Sequence, residues 1–522
     1  MFDELLKISR HIGQDSSPSD IPREITSLLP SSFTLEDVSN MLIGSKLSGD
    51  ISSLRAIQAC LGSEKLTSSD GEDPDALQKV AKYVARSILP VSDASLSDGF
   101  KIWKNHALKA EVGLDVLHSI DHSKAIELDD PVFVSITAFT SVKDSWTTET
   151  SSSLAHGILK AHLQVGKAQQ KFIVETVLNG FLRPLFSKSR PATVTASGRK
   201  AEFVEASRYA GLDAQSEAFK QWKHSQRYAI TVFEWAVVQA DEELLRKHWH
   251  MFTPVLLTLL DESETEIKIR AITIFTDFWA RCPAGLMRKV GLAEVFEQAI
   301  FPAVLYLPSL TPEDESVRIL NTAYPALFQL AGLPYPEKID EPCTYPEFSK
   351  AEKQLLDKII REGILVGHNH ASEYVRLTEL FLLKARYIVN GMGILAVKHL
   401  KDFIPMVSQV MIDPFGTKYP PVLHAGARLL QVIMRCCWPR MPGYCDEVVK
   451  VLTVCALNIE DEDAFPEGAA GKEKLKSELM RTADMLSAVI KAEGIDLSKR
   501  VIPLIEKEPS LAQLFTEKPK QN

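Results

Sequence analysis

The chain contains 522 residues, with 59 Lys and Arg against 68 Asp and Glu, so its formal net charge is −9. This acidic balance argues against a general nucleic-acid binder, which would carry a basic domain or stripe. The hydrophobic fraction of 45% is that of a folded protein, and one compact domain seldom reaches this length. Two or three domains, or a helical repeat, are therefore expected.

The beginning of the chain and the cysteines both indicate an intracellular protein. The stretch MFDELLKISRHIG lacks the basic and apolar regions of a signal peptide. Seven cysteines, two of them adjacent at Cys436 and Cys437, do not suit a disulfide framework. The uncharged stretch Ile319–Pro336 contains three prolines and is a poor membrane span. The sequence predicts a soluble protein of the cytoplasm and nucleus.

The first segment with a clear pattern is PVFVSITAFTSV, residues 131–142, which is rich in β-branched residues. It has no partner strand nearby. Pro131 follows Asp129 and Asp130, an arrangement that suits the first turn of a helix. We predict a buried helix there.

Further along the chain, apolar residues recur with the helical period. Ile230, Phe233 and Val237 repeat at three and four residues within 226–238. In the stretch 374–390, one apolar stripe faces a polar side, and we expect Arg376, Glu379 and Lys384 to point away from the core. Such helices in close succession are typical of helix-on-helix packing. The stripe consists of Leu377, Leu380, Phe381, Ala385 and Ile388.

The polar segment SKSRPATVTASGRK, residues 187–200, has the composition of a linker. It separates a less regular N-terminal helical region, 1–198, from a more regular C-terminal region, 199–522. We predict these as the two domains.

Two segments of the C-terminal region resemble each other. FTPVLLTLLDESETEIKIRA begins at Phe252 and IFPAVLYLPSLTPEDESVRI at Ile300, and in each a proline near the start of a helix precedes an acidic turn and a second helix. The proline and a later arginine are 16 residues apart in both, and a third stretch beginning at Phe403 shares the proline. Because each helix pair has one apolar side, it must stack on the next. The sequence predicts an all-α fold, an α-solenoid of HEAT-like helical hairpin repeats.

No catalytic, metal or cofactor site emerges from the motifs. Gly391-Met392-Gly393 has no preceding strand and no Walker lysine, so the glycines more plausibly end a helix. No GxSxG nucleophile motif is present. The His and Cys groups lack the spacing of zinc ligands. These groups are His248 with His250, His368 with His370, and Cys436 and Cys437 with Cys445.

Two short segments suggest interface positions. The run from Lys398 to Lys401 is expected to end a helix, where cations suit the helix dipole. Trp438, Pro439 and Arg440 are expected to cap another helix. Trp and Arg are frequent interface anchors, although Trp438 would serve equally well to pack a helix end against its neighbour.

Several stretches, taken in order, resemble the Tel-two-interacting protein two family. IVNGMGILAVKHLKDFIPMV at 388–407 and VIMRCCWPRM at 432–441 resemble its signature region. Upstream, FKQWKHSQRYAITVFEWAV at Phe219 and DDPVFVSITAFTSVKDSWTTET at Asp129 resemble its earlier helices. The chain has its own insert at 413–421, between the two halves of the signature.

The resemblance implies a non-enzymatic, all-helical scaffold that needs no cofactor. The family is the smallest subunit of the Triple-T (TTT) co-chaperone complex. Its implied partners are Tel-two-interacting protein one and the Tel-two protein and, indirectly, phosphatidylinositol-3-kinase-related kinases and the ninety-kDa heat-shock chaperone, with no nucleic acid or membrane. The matched positions either touch a partner or hold the helices together. They include Gly393 and Pro439, and those predicted to bind a partner are Asn390, Gly391, Lys398, His399, Trp438 and Arg440.

Two other functions fit a stack of helices. A transport or trafficking adaptor of the karyopherin type would bind a small GTPase or cargo signals, and would show a longer run of regular repeats. The third hypothesis is an all-helical enzyme with a hidden site, and stoichiometric zinc in the purified protein would support it.

Overall fold

The computed structural model describes residues 27–44, 50–67, 73–90, 99–122, 126–163, 166–187, 220–334, 347–466 and 468–515. Within these ranges the chain is helical, and its one β contact is an isolated bridge between Phe33 and Leu66. The predicted fold class, an α-solenoid of HEAT-like helical hairpins, is confirmed. The proposed domain boundary at 198–199 falls outside the described residues and stays a prediction.

The chain forms two compact units. The first consists of Met1–Asp261 with Asp277–Leu292, and the second of Glu262–Thr276 with Ala293–Asn522. In the first unit, three consecutive helical segments, Lys167–Lys171, Phe172–Leu182 and Arg183–Phe186, make one helix, α7. The other helices in this part of the chain are α1 (Leu35–Gly44), α2 (Ile51–Leu61), α3 (Asp73–Ile88), α4 (Gly99–His122), α5 (Asp130–Thr137), α6 (Glu149–His162), α8 (Ala229–Gln239) and α9 (Glu242–Leu260).

The first unit packs its helices in two layers. In one layer, α1 contacts α3, α3 contacts α5, and α5 contacts α8, while α2, α4 and α6 form the other layer. Aromatic rings join the elements in the core: Phe172 lies edge-on to Phe133 at 6.1 Å and to Trp235 at 5.9 Å between ring centroids. Such edge-to-face pairs add to the stabilisation that burial of the rings provides.

Helix α5 confirms the predicted buried helix at Pro131. The proline occupies the first turn, and Phe133 and Ile136 are buried. The residues that follow anchor the next helix. Trp146 donates its Nε1 hydrogen to the Ala138 carbonyl at 3.1 Å, and Thr148 caps α6. The N-terminal stretch that resembles the family therefore builds core and helix caps.

The second unit contains the more regular array. In this unit, three consecutive helical segments, Lys350–Lys358, Ile359–Leu365 and Val366–His370, make one continuous helix, α13. Residues 265–276 of α10 (Thr265–Arg281) and residues 293–300 of α11 (Leu292–Ile300) belong to this unit. The other helices here are α12 (Glu313–Leu330), α14 (Val375–Met392), α15 (Leu400–Ile412), α16 (Pro420–Cys436), α17 (Cys445–Glu460), α18 (Gly468–Ala492) and α19 (Ser498–Lys507).

Alternate helices of the second unit share a layer. In layer A, α12 packs on α14, α14 on α16, and α16 on α18, and in layer B α15 packs on α17. Because the chain alternates between layers, its turns fall on two edges. We call the edge with the turns from layer A to layer B, 393–399 and 438–444, the forward edge. The return edge carries the turns from layer B to layer A, 371–374 and 413–419.

Helix α14 confirms its predicted apolar stripe, since Leu377, Phe381 and Ile388 are fully buried. The expectation for Lys384 is wrong, because this residue is buried too. A layer A helix has neighbours in its own layer on both sides and layer B beneath it. Its exposed face is consequently narrower than that of an ordinary surface helix.

The two similar segments confirm part of the predicted repeat. Acidic residues precede α10, but those of the second segment form the first turn of α12 itself. Arg318 of α12 donates to both carboxylate oxygens of Glu266 in α10, at 2.5 and 2.8 Å. The predicted place of the proline near a helix start is wrong, because Pro254 lies well inside α9 and Pro302 in a 3-10 turn after α11. Pro254 is tolerated there because tertiary packing overrides local propensity.

The helical run 375–412 is long and apolar enough to cross a membrane by length and composition, but 67% of its most apolar window is buried. The run is also two helices, because Gly393 takes a positive φ of 55° between α14 and α15. Because they are buried and separated by a sharp break, α14 and α15 have the features of two core helices that pack against their neighbours.

Burial protects two thiols of the second unit. It raises the pKa of Cys437 and that of Cys455 to about 12. Since the thiolate is the reactive form, we expect iodoacetamide at pH 8 to modify both on the order of 100-fold more slowly in the native than in the urea-unfolded protein. Peptide mass spectrometry over a time course measures the rates. Rapid native labelling would contradict the packing around these residues.

Candidate partner-binding surface

The first forward-edge turn begins where α14 ends. Gly393 has φ 55° and ψ −132°, a conformation that other residues avoid, and its N–H reaches the Val389 carbonyl. Gly391 is needed for packing, because a Cβ there would lie 2.4 Å from Cδ2 of Leu333. The prediction that these glycines end a helix and open a tight turn is confirmed for Gly393, whereas Gly391 lies within the last turn of α14.

Asp357 of α13 holds the other end of this turn. Its carboxylate lies 2.6 Å from Nζ of Lys398 and 2.9 Å from Nε2 of His399. The prediction that residues 398–401 end a helix holds for Lys398 and His399, which form the last turn of the 3-10 helix Gly393–His399. It is wrong for the next two residues, because α15 begins at Leu400. The break at Gly393 places these cations before a helix, and Asp357 supplies the negative charge that a helix C-terminus was expected to provide.

His399 is fully buried and neutral at neutral pH. Burial lowers its pKa, and this outweighs the opposing effect of Asp357. The neutral ring therefore donates its Nε2 hydrogen to Asp357, while Nδ1 has no hydrogen-bond partner among the described residues. Burial opposes ionisation of Asp357, but the hydrogen bonds from Lys398 and His399 prevail and lower the pKa of that carboxyl group.

The second forward-edge turn, Trp438–Tyr444, follows the end of α16 at Cys436. Its first three residues are exposed, and 48% of Trp438 is accessible. The backbone N–H of Arg440 donates to the Cys437 carbonyl at 3.0 Å and fixes the turn. The prediction that Trp438, Pro439 and Arg440 cap a helix is right in place only, because Cys437 is the capping residue of α16 and these three residues follow it in a 3-10 turn.

Exposed apolar side chains mark both turns. Ile394 and Leu395 are 43% and 39% exposed on the first, and Trp438 stands on the second. Lys398 and Arg440 place a cation on each turn. Apolar groups beside cations, on successive turns of one edge, are the composition of a protein-binding surface with an aromatic and arginine anchor. Sequence reasoning missed Ile394 and Leu395, for which the only signal was an apolar pair directly after a turn glycine.

The six predicted partner-binding residues divide into two groups. Lys398, Trp438 and Arg440 are exposed on the forward edge. Asn390 is buried and accepts a hydrogen bond from Arg435, and Gly391 and His399 also make packing contacts. The structure brings all six to the two forward-edge turns or the helix ends beside them. Partner binding by any of them stays a prediction.

The ligand chemistry near this surface is limited. Within the described ranges, no three or more His, Cys, Asp and Glu side chains are grouped so that they could hold a metal ion. A cleft of about 590 Å³ lies near the C-terminal end of the described chain, lined by residues such as Leu497, Ile502 and Phe515.

A family model described as the Tti2 family matches residues 132–418, more than half of the chain. The chain belongs to the Tti2 family. The match includes α14, the first forward-edge turn and most of the return-edge turn 413–419. The second forward-edge turn lies beyond it. The family expected from the resemblance is thus confirmed.

Two relatives of this Tti2-family chain are both named TELO2-interacting protein 2. The human protein is 23% identical over 349 residues, which are 66% of this chain and 59% of the relative. The mouse protein is 22% identical over 250 residues, 47% of this chain and 45% of the relative. The chain thus matches less than two thirds of the length of either. Among solved structures, Kap121p bound to Pho4p is 11% identical with a TM-score of 0.36, and the alignment covers 97% of this chain and 53% of that one.

Proposed function

We propose that the chain is a non-enzymatic scaffold subunit of the Triple-T co-chaperone complex and binds Tel-two-interacting protein one. Membership of the Tti2 family, through the match over residues 132–418, carries this proposal. Together with the Tel-two protein and the ninety-kDa heat-shock chaperone, the complex supports maturation of phosphatidylinositol-3-kinase-related kinases. For this role we propose a location in the cytoplasm and nucleus.

The forward edge of the second unit supplies the mechanism that we propose for partner binding. Burial of Ile394, Leu395 and Trp438 against a partner would remove apolar area from water and drive association. Lys398 and Arg440 would orient the partner through acidic groups of its own. The scaffold contributes surface, and no chemical step is required of it.

Co-expression of this chain with Tel-two-interacting protein one, followed by size-exclusion chromatography, tests the proposal. We expect the two chains to elute together at micromolar concentration. Elution as separate peaks at that concentration would contradict a stable complex.

Alanine at both Trp438 and Arg440 is expected to weaken the complex by about 30-fold or more, because anchors of these types dominate interface free energy. The melting temperature of the free chain should not change, since both side chains are exposed. Titration calorimetry and thermal unfolding measure the two quantities.

Phe415→Ala is the matched control, because Phe415 is an exposed aromatic residue of the return edge. It should leave the affinity unchanged. Equal loss in both variants would contradict the assignment to the forward edge, and a melting temperature several degrees lower in the double variant would show that Trp438 packs a helix end.

A further inference from the structure

A second feature of the second unit lies between the helices of layer A. A cleft of about 330 Å³ crosses the layer A helices α14, α16 and α18. Four arginines line it: Arg386 from α14, Arg428 and Arg435 from α16, and Arg481 from α18. Only one carboxylate, that of Glu478, belongs to its lining. Three of the four arginines lie beyond the part of the chain that matches the family.

The floor of the cleft is a fixed polar group. Gln431 is buried and donates through Nε2 to Glu478 Oε1 at 2.8 Å and to Thr482 Oγ1 at 3.0 Å. Glu478 is itself largely buried, and Nε of Arg428 lies 3.8 Å from Oε1 of this carboxylate. The single acid is therefore already engaged on the protein side of the cleft.

The arginines are only partly neutralised by the protein. Arg435 donates to Asn390 Oδ1, a neutral acceptor. Arg481 is exposed and forms no ion pair with a residue that the structure describes. Arg435 and Arg481 thus hold two positive charges that no carboxylate of the described residues pairs, in a chain whose net charge is −9. Like charges held together repel one another, and an anion in the cleft would relieve that repulsion.

The geometry of guanidinium selects the class of anion. Its planar fork donates two parallel hydrogen bonds, which match the oxygens of a phosphate group. Arg428 and Arg435 lie seven residues apart, two turns along the same face of α16. Arg386 and Arg481 flank them from the neighbouring helices, so donors reach the cleft from three elements.

We propose that this cleft binds a phosphate-bearing ligand, with the phosphate oxygens held by Arg386, Arg428, Arg435 and Arg481. The phosphate is either that of a free small polyphosphate or that of a phosphorylated serine in a partner segment. Both sources share the dianionic group that the arginines recognise.

Isothermal titration of the full chain in 150 mM NaCl tests the site with three probes. These are inorganic pyrophosphate, an acidic peptide with one phosphoserine, and the same peptide with glutamate in place of phosphoserine. We expect pyrophosphate or the phosphopeptide to bind, and whichever binds identifies the source. Absence of binding by both would overturn the proposal, as would equal binding of the glutamate peptide.

Single variants locate the binding. Arg481→Ala is expected to weaken binding about tenfold or more, because one pair of charge-assisted hydrogen bonds to the phosphate is lost. Arg481→Lys should weaken binding less than this, because lysine keeps the positive charge but cannot form the paired hydrogen bonds. Arg361→Ala, which removes an exposed arginine of α13 outside the cleft, is the matched control and should bind like the wild type. Equal affinity of Arg481→Ala and the wild type would overturn the site. Ligand-dependent thermal shifts give a second readout, since a ligand raises the melting temperature only of variants that bind it.

Discussion

Phe381→Ala is expected to lower the free energy of unfolding by about 3–5 kcal/mol. Phe381 is fully buried in α14, and its ring lies edge-on to that of Tyr324 at 6.4 Å between centroids. The ring also fills the space beside Gly367, where a Cβ would lie only 2.6 Å from the Phe381 ring. Because Gly367 has no side chain that could fill the vacated volume, the substitution leaves a cavity, and the free energy of unfolding falls by the full amount expected for a cavity of that size.

Urea unfolding followed by far-ultraviolet circular dichroism measures the loss. Phe415→Ala is the control in the same unit, because 77% of Phe415 is exposed, and its effect should stay within about 0.5 kcal/mol. Comparable losses in the two variants would mean that the packing of α14 against α12 and α13 does not dominate the stability of this unit.

Asp357→Ala is expected to cost about 1–3 kcal/mol at pH 7, because the Nε2 hydrogen of the buried His399 loses its acceptor. Lys398→Ala is the control. It removes the ion pair between Asp357 and an exposed lysine, which contributes about 0–1 kcal/mol. A larger loss in Lys398→Ala than in Asp357→Ala would contradict the role given to His399.

The buried hydrogen bond between His399 and Asp357 also predicts that the stability of the protein depends on pH. Because the pKa of His399 is lowered in the folded state, the unfolded chain binds its proton first, and stability falls as the pH drops below about 6.5. The lowered pKa of Asp357 adds a further loss in more acidic solution. His399→Gln should lose less stability than the wild type between pH 7 and pH 5. Denaturant titrations at both values measure this, and equal losses would show that His399 does not contribute.

The sequence predicts those features of the second unit that depend on neighbours in the chain. The stripe from Leu377 to Ile388 repeats with the helical period, so α14 could be placed and its buried face named. Gly393 marked its end because glycine permits the turn conformation. The start of α12 is marked by a run of acids, which form its first turn.

Other features depend on contacts that local sequence does not record. Lys384 is buried because α14 has neighbours on both sides, and Pro254 is tolerated inside α9 because of packing. Asp357 meets His399 from a different helix. Exposure of Ile394 and Leu395 follows from their place on an edge, which an apolar pair in a sequence does not reveal.

The arginine cleft shows the same limit over a longer range. Arg386, Arg428 and Arg481 come from three helices, and only the stacking of layer A brings them around one space. In the sequence each is an ordinary charged residue on a helix. A count of charges over the whole chain, which is acidic, conceals this local excess of positive charge.

The alternation of turns between two edges determines which kind of protein can bind them. Adjacent helices in a layer lie about 8–10 Å apart, so the forward-edge turns recur at roughly that interval. A partner with a single protruding loop can meet one of them. A partner that is itself a stack of helices repeats at the same interval, so its helices can contact several successive turns. The affinity of such a complex is the sum of many small contacts. A shift of the partner by one helix would break all of these contacts together.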